Sequence, residues 1–225
     1  MQKDLITVQE EVEKAINRLT NENNKVNACS RTDGGVHARG QSANFFTERN
    51  IALEKIPPGL NTYLPKDIKV YKAIERPIEF HSRYHAKGKR YTYHILNNPY
   101  GCALEYKRSW HITKKLDLEE MIKANEHIIG THDFSAFRVT GSGVKSPIRT
   151  IKSSKLIKEG DKIILDIEGD GFLYKMVRSI VGTLVEVGRG RFDQEDMPRI
   201  MESKDRKNGG KTAPPEGLYL EKIYY

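Results

Sequence analysis

Two alternating runs, Arg149 to Lys158 and Lys162 to Glu168, are joined by only three residues, Glu159-Gly160-Asp161, and an apolar helical stripe from Tyr174 to Val187 follows. So short a connection predicts an antiparallel hairpin. The helix that follows, with Met176, Ile180, Leu184 and Val187 inward, needs another layer to cover that face. Gly188 is expected as the residue that ends it.

Strand and helix alternate along the rest of the chain. Val8, Val12, Ala15, Ile16 and Leu19 recur at helical spacing over Thr7 to Leu19, and Thr7 with Glu10 forms a capping box. Val26 to Ser30 and Gln41 to Thr47 read as strands on either side of the glycine-containing stretch Arg31 to Gly40. Ile68 to Ile74 and Lys89 to Leu96 are further strand candidates. A helix is predicted over Asp117 to Ile129, with Leu118, Met121, Ile122 and Ile128 toward the core and Gly130 ending it. A short helix from Asp193 to Glu202, a basic loop from Lys204 to Lys211 and a strand from Leu218 to Tyr224 complete the pattern. The implied class is α/β (α+β), with mixed or antiparallel sheets and helices packed on one face. Pro77 breaks the pattern near Arg76 to His81, so two subdomains are expected, 1–80 carrying the motif loop and 81–225 completing a central cleft.

Composition narrows the function. No apolar run approaches the ~20 residues of a membrane-crossing helix, and the opening Met1-Gln2-Lys3-Asp4-Leu5 has no secretory h-region. Cys29 and Cys102 lie far apart and form no C-x-x-C pair, which argues against a disulfide framework or thiolate zinc site. A soluble, cytoplasmic protein is expected. With 38 Lys+Arg against 30 Asp+Glu the formal charge is +8, which suits either a polyanionic partner or a generic basic surface.

Three clusters carry candidate chemistry. In Arg31-Thr32-Asp33-Gly34-Gly35-Val36-His37-Ala38 one carboxylate sits in a tight loop. An isolated Asp-Gly pair is usually an Asx turn, but flanking Arg31 and His37 supply cations that keep a carboxylate ionised and reactive. Arg83 to Tyr93 interleaves basic residues with Tyr84, Tyr91 and Tyr93. This composition fits phosphates and stacked bases, and equally a half-buried strand. In Gly169 to Thr183 the cation Arg178 lies beside the apolar stripe and needs a partner. Asp170 or Asp166 would make that a structural salt bridge, and Asp33 would make it part of a site.

These blocks together resemble the tRNA pseudouridine synthase A (TruA) family. Arg31 to Ala38 matches R-T-D-A-G-V-H-A, Gly171 to Gly190 matches G-F-L-Y-x-M-V-R-x-I-V-G-T-L-x-E-V-G-x-G, and Ala213 to Leu220 matches A-P-P-x-G-L-Y-L. Lys89 to Tyr93 supplies the basic-aromatic strand, and His132 to Arg138 and Arg149 to Ile151 are weaker matches. The resemblance covers essentially the whole chain. It implies a pseudouridine synthase fold and an isomerase that converts uridine to pseudouridine in the anticodon stem-loop of tRNA. It also implies a homodimer, with no cofactor and no metal. It makes Asp33 the catalytic nucleophile, sets Tyr91 against the flipped uracil, pairs Arg178 with the aspartate, lines the base pocket with Leu218, and gives Arg31 to the RNA.

Two departures stand out. The family's first strand, with a Y-D-G-T-x-F-x-G-W-Q-like segment, has no counterpart before the first helix, so an exposed sheet edge is expected there. Gly34 replaces the family's alanine. The alternative to an enzyme is therefore a tRNA-binding protein that has lost catalysis with that strand. A metal-dependent hydrolase using His127, His132, Asp133 and Asp170 is the third reading, and its residues form no convincing ligand set.

Overall fold

The computed structural model describes residues 6–139, 141 and 146–225; the opening residues 1–5, on which the expectations about the start of the chain bear, lie outside them. The elements of the first hundred residues are α1 (Val8–Thr20), β1 (Asn27–Ala28), β2 (His37–Ala38), β3 (Ala43–Asn44), α2 (Ile56–Tyr63) and β4 (Gly88–Asn97). There follow β5 (Trp110–Ile112), α3 (Leu118–Glu126), β6 (Gly130–Asp133), β7 (Ile148–Glu159) and β8 (Lys162–Gly169). Then come α4 (Met176–Gly188), α5 (Asp196–Ser203) and β9 (Leu218–Tyr224). The class is mixed α/β, as the sequence implies.

The chain forms two compact units, one running up to Arg31 and including Ser42–Ala86, the other comprising Thr32–Gln41 and Lys87–Tyr225. This differs from a single cut at residue 80. The motif loop goes with the second unit because β2 pairs with β9, not with β1 or β3.

In the first unit α1 begins where expected: Thr7 Oγ1 accepts the Glu10 N–H at 3.2 Å, satisfying a free donor of the first turn. Ala15 and Ile16 of α1 meet Val26, Ile56, Leu60 and Leu64 in a small core. The two strands flanking the motif loop shrink to two residues each, with Asn27 opposite Asn44 and Ala28 opposite Ala43. Ile68 to Ile74 forms no strand. Its central backbone groups are bound by a side chain instead: Asn61 Nδ2 donates to the Val70 carbonyl at 2.7 Å and Asn61 Oδ1 accepts the Val70 N–H at 2.8 Å.

The second unit is a seven-stranded sheet in the order β2-β9-β4-β8-β7-β6, with β5 beside the end of β4. The β7–β8 hairpin and β4 are as predicted, and β9 pairs antiparallel with β4. Alternation places Tyr91, Tyr93, Leu165, Ile167, Leu218 and Leu220 on one buried face. Helix α4 is buried everywhere except Glu186. It starts two residues later than the periodicity suggests, because Lys175 takes the left-handed conformation with φ 60°. Gly188 is the last residue of α4, with Arg189 as the cap, and does not stand beyond the helix end. A Cβ on it would come 2.6 Å from Met121 Sδ, so α3 and α4 are in close contact there.

Helix α3 keeps its predicted face at Leu118, half-buried, and Met121, buried, as does the buried Ile128 just past its end, and departs from it at Ile122. Met121, Ala124 and Asn125 are buried while Ile122 is exposed. Asn125 exchanges bonds with Ser154 of β7, donating to its carbonyl at 3.1 Å and accepting from its hydroxyl at 2.7 Å. A polar residue so paired is as much a core residue as an isoleucine.

Candidate active site

The site is built where α4 begins. Arg178, in its first turn, is 9% exposed. A cation so buried needs both charge and hydrogen-bond compensation. Its Nε donates to the Ala213 carbonyl at 2.8 Å, and its Nη1 donates to Asp33 Oδ2 in a salt bridge. The Ala213 N–H in turn donates to the Arg178 carbonyl at 3.0 Å. Of the partners open to Arg178, the structure selects Asp33. Asp166 is taken by Arg90, at 2.8 and 2.5 Å, and Asp170 accepts the Thr150 N–H at 3.1 Å.

Asp33 opens a tight turn in which its carbonyl accepts the Val36 N–H at 3.1 Å. Gly35 has φ +83° at the third position, which a type II turn reserves for glycine. A Cβ on Gly35 would also come 3.1 Å from Pro215 Cγ. The turn holds the carboxylate out from the backbone toward Arg178, where it is about one-quarter exposed.

The sheet of the same unit contributes aromatic side chains. Tyr91, 7% exposed, meets Phe172 edge-on at 5.1 Å, and the β4–β9 register shifts between Arg90 and Tyr91. Such bulges re-aim side chains beside functional sites. Tyr93 is fully buried, opposite Leu218 in the ladder, and its hydroxyl donates to the Pro214 carbonyl at 2.8 Å. Burial, assisted by Glu216 and opposed by Arg178, pushes that hydroxyl well above the ordinary tyrosine range, so it stays protonated and acts as a donor.

Asp33, Tyr91, Arg178 and Leu218 thus all belong to the second unit, whereas Arg31 is an exposed residue at the edge of the first. The basic-aromatic cluster divides likewise, Arg83 to Ala86 in the first unit and Lys87 to Tyr93 in the second. His37 is not engaged as a neighbouring cation of Asp33. Its ring lies on Tyr219.

Sequence reasoning missed the role of Ala213 and Pro214, which act through backbone carbonyls that no side-chain pattern reports. Their block A-P-P-x-G was the available signal. Gly217 completes it, since a Cβ there would press within 2.6 Å of the Tyr93 ring. The residues of the metal-hydrolase reading serve the fold. His132 Nε2 bonds the Ile129 carbonyl, Asp133 Oδ1 accepts the Ser135 N–H, and Asp170 accepts from Thr150. Among the described residues no group of three His, Cys, Asp or Glu is arranged to hold a metal ion.

Comparison with known proteins agrees with this architecture. The family profile described as tRNA pseudouridine synthase matches residues 2–85 and 124–225. A protein of Acetivibrio thermocellus named tRNA pseudouridine synthase A is 49% identical over 224 residues, spanning 100% of this chain and 92% of the relative. Proteins of the same name from Thermoanaerobacter pseudethanolicus and Clostridium acetobutylicum are 49% and 46% identical over the same share of each chain. The mixed sheet and its helices are therefore those of a pseudouridine synthase, a class of isomerases. More narrowly, the chain belongs to the tRNA pseudouridine synthase family.

Proposed function

We propose that this chain isomerises uridine to pseudouridine in the anticodon stem-loop of tRNA, with Asp33 as its catalytic carboxylate. The observation that carries the reading is the salt bridge between Asp33 and the buried Arg178, made by two residues of different sequence blocks. Isomerisation breaks the N1–C1′ bond, turns the uracil while it remains trapped, and joins C5 to C1′; the C5 proton leaves and N1 gains one, so the atoms balance without a further reactant. One carboxylate meets the demand, by attacking C1′ or by assisting departure of the base. Arg178 keeps it aimed, because a side chain bonded at both Nε and Nη1 has little freedom.

The other assignments extend the same reading. A stacked base must leave its helix to be reached, and Tyr91 supplies a ring face at which an extruded uracil can be held. Leu218 adds apolar lining, and Arg31 binds the RNA backbone. The enzyme works in the cytoplasm as a homodimer, with tRNA as its partner.

Tritium release from tRNA carrying 5-tritiated uridine tests the reading. Asp33→Asn, which keeps the shape of the side chain, is expected to lose at least about 10³-fold in rate while binding tRNA nearly as well as the parent. If the unaltered chain binds tRNA and yields no pseudouridine at any enzyme concentration, the enzyme reading fails and a binding protein remains. Sites of modification mapped outside the anticodon arm would overturn the substrate assignment, and a monomer in light scattering would overturn the dimer.

A further inference from the structure

The loop that presents Asp33 ends on β2, which has only two residues. Its ladder is two register pairs with β9, together with bonds from the Arg39 and Gly40 N–H groups to the Leu220 carbonyl at 2.8 and 3.0 Å. That is little to hold a loop whose carboxylate must stay in register with a buried arginine. Side chains on the opposite face of β9 from Leu218 and Leu220 supply more.

The His37 ring lies on Tyr219, centroids 4.6 Å apart and planes 18° apart. Its Nε2–H donates to the Lys107 carbonyl at 2.8 Å. The Arg39 guanidinium sits 4.6 Å from the centre of the same Tyr219 ring and bonds Glu221 at 2.9 Å. Tyr219 is itself fixed, with its hydroxyl on the Arg108 carbonyl at 2.7 Å and His94 against its ring at 4.6 Å. The two successive carbonyls of Lys107 and Arg108 therefore anchor His37 and Tyr219. Lys107 presents them from a left-handed conformation, φ 57°, which is unfavourable for a lysine.

We propose that His37 is a positioning residue for Asp33. Its ring, clamped between Tyr219 and the Lys107 carbonyl, fixes Val36, and the Val36–Asp33 turn carries that constraint to the carboxylate at Arg178. The proposal rests on Asp33 being the catalytic carboxylate. It explains why a histidine sits four residues beyond the aspartate without touching it: the ring provides both a flat face for Tyr219 and an N–H for Lys107, which no aliphatic residue provides together.

The test is single-turnover pseudouridine formation on tRNA by the full chain, with tRNA affinity and thermal midpoint measured alongside. His37→Ala is expected to slow the saturated rate about tenfold to a hundredfold, leaving tRNA affinity within about twofold and the thermal midpoint close to the parent's. His37→Gln, which retains a donor for Lys107, and His37→Phe, which retains the stack on Tyr219, should each recover part of the rate. His37→Ala combined with Tyr219→Leu should be no slower than the worse single variant, as expected for two halves of one clamp. A parental rate in His37→Ala overturns the proposal. So does weakened tRNA affinity at an intact saturated rate, which would make His37 an RNA contact, or a rate loss that only tracks loss of folded protein in all three variants. Asp33→Asn measured in parallel separates the two readings. If it is active, the catalytic assignment and this proposal fall together; if it is inactive while His37→Ala is fully active, only the proposal falls.

Discussion

In the first unit the backbone of Val26 is bonded by helix side chains, its N–H by Glu13 Oε1 at 3.2 Å and its carbonyl by Gln9 Nε2 at 3.0 Å. In the second unit Tyr91 occupies the same kind of extended position and is flanked by backbone, Ile167 on one side and Leu220 on the other. The contrast is general. Asn61 takes both groups of Val70, Asn17 accepts the Asn24 N–H at 2.7 Å, and Arg49 donates to the Thr20 carbonyl at 3.0 Å. In the first unit polar side chains thus take up extended backbone that has little ladder of its own, whereas in the second the strands are paired by long ladders and side chains such as Tyr93 and Asn97 serve the segments beside them. A ladder shares its bonds among neighbours and is lost as a whole, while a tether belongs to one side chain and is lost alone. The Asp33–Arg178 pair belongs to the laddered unit, and a catalytic role for it, as proposed, suits a geometry that tolerates little drift.

The largest effect expected from this contrast is at Gly182. Alanine is about 1 kcal/mol better than glycine in a helix interior, yet a Cβ at Gly182 would overlap the Lys211 carbonyl oxygen. The chain there leads directly to Ala213, the partner of Arg178. Gly182→Ala should lower the stability of the second unit by about 3 kcal/mol, and pseudouridine formation should fall with it. An unchanged denaturation midpoint would show that the loop yields easily and that the second unit is less tightly built than its ladders suggest.

Asn61→Ala is the counterpart in the first unit. It removes two bonds from Val70 and should destabilise by about 1–2 kcal/mol. Because the tether is individual, hydrogen exchange should quicken at Val70 and its neighbours while the amides of β4 and β8 keep their protection. Loss of protection across β4 and β8 would break the distinction between the units.

The same difference decides what is legible in the sequence. β4, the β7–β8 hairpin and β9 are visible because ladders between buried faces require alternation, and alternation is written in the order of the residues. Ile68 to Ile74 is patterned in the same way, but there the Asn61 side chain, seven residues before the segment, takes both backbone groups of Val70. Ile122 reads as a core residue from its helical spacing, whereas the inward position goes to Asn125, whose partner Ser154 is distant in sequence. Asp33 and Arg178 can be picked out singly, as a carboxylate in a glycine turn and a charge on an apolar stripe. Periodicity cannot show that they meet, since their pairing depends on the loop joining β9. The backbone roles of Ala213 and Pro214 leave no side-chain signature at all.

A smaller effect is confined to the second unit and appears with pH. His94, on the Tyr219 face of the sheet, is held below the ordinary histidine value of 6.5, chiefly by burial and then by Arg39 and Lys162, with Glu221 and Glu105 opposing. The Thr92 hydroxyl donates to Glu221 at 2.7 Å, so the 3.2 Å contact to His94 Nε2 needs the ring nitrogen as donor. The unfolded chain takes up this proton at a higher pH than the folded one. The contribution is therefore complete above pH 6.5 and declines as pH falls from there through the depressed folded value. His94→Gln should flatten that part of the profile of thermal midpoint against pH. A parental slope in the variant would assign the acid sensitivity to other groups.

The smallest effect concerns the turn that carries Asp33, where the chain leaves the first unit at Arg31 to join the second and returns at Ser42. Gly34 and Gly35 are neighbours with opposite requirements. Gly35 needs its positive φ and has Pro215 against it, so alanine there is strained. Gly34 is not in the positive-φ region, and a Cβ on it would meet nothing within 4 Å. Glycine at that position serves no steric purpose and leaves the unfolded chain freer than it need be. Gly34→Ala should therefore stabilise by about 0.4–1 kcal/mol, read as a higher urea midpoint at unchanged slope, with activity retained. Loss of activity without loss of stability would mean that Gly34 leaves room for the approaching nucleotide, and the open space above it would then belong to the substrate.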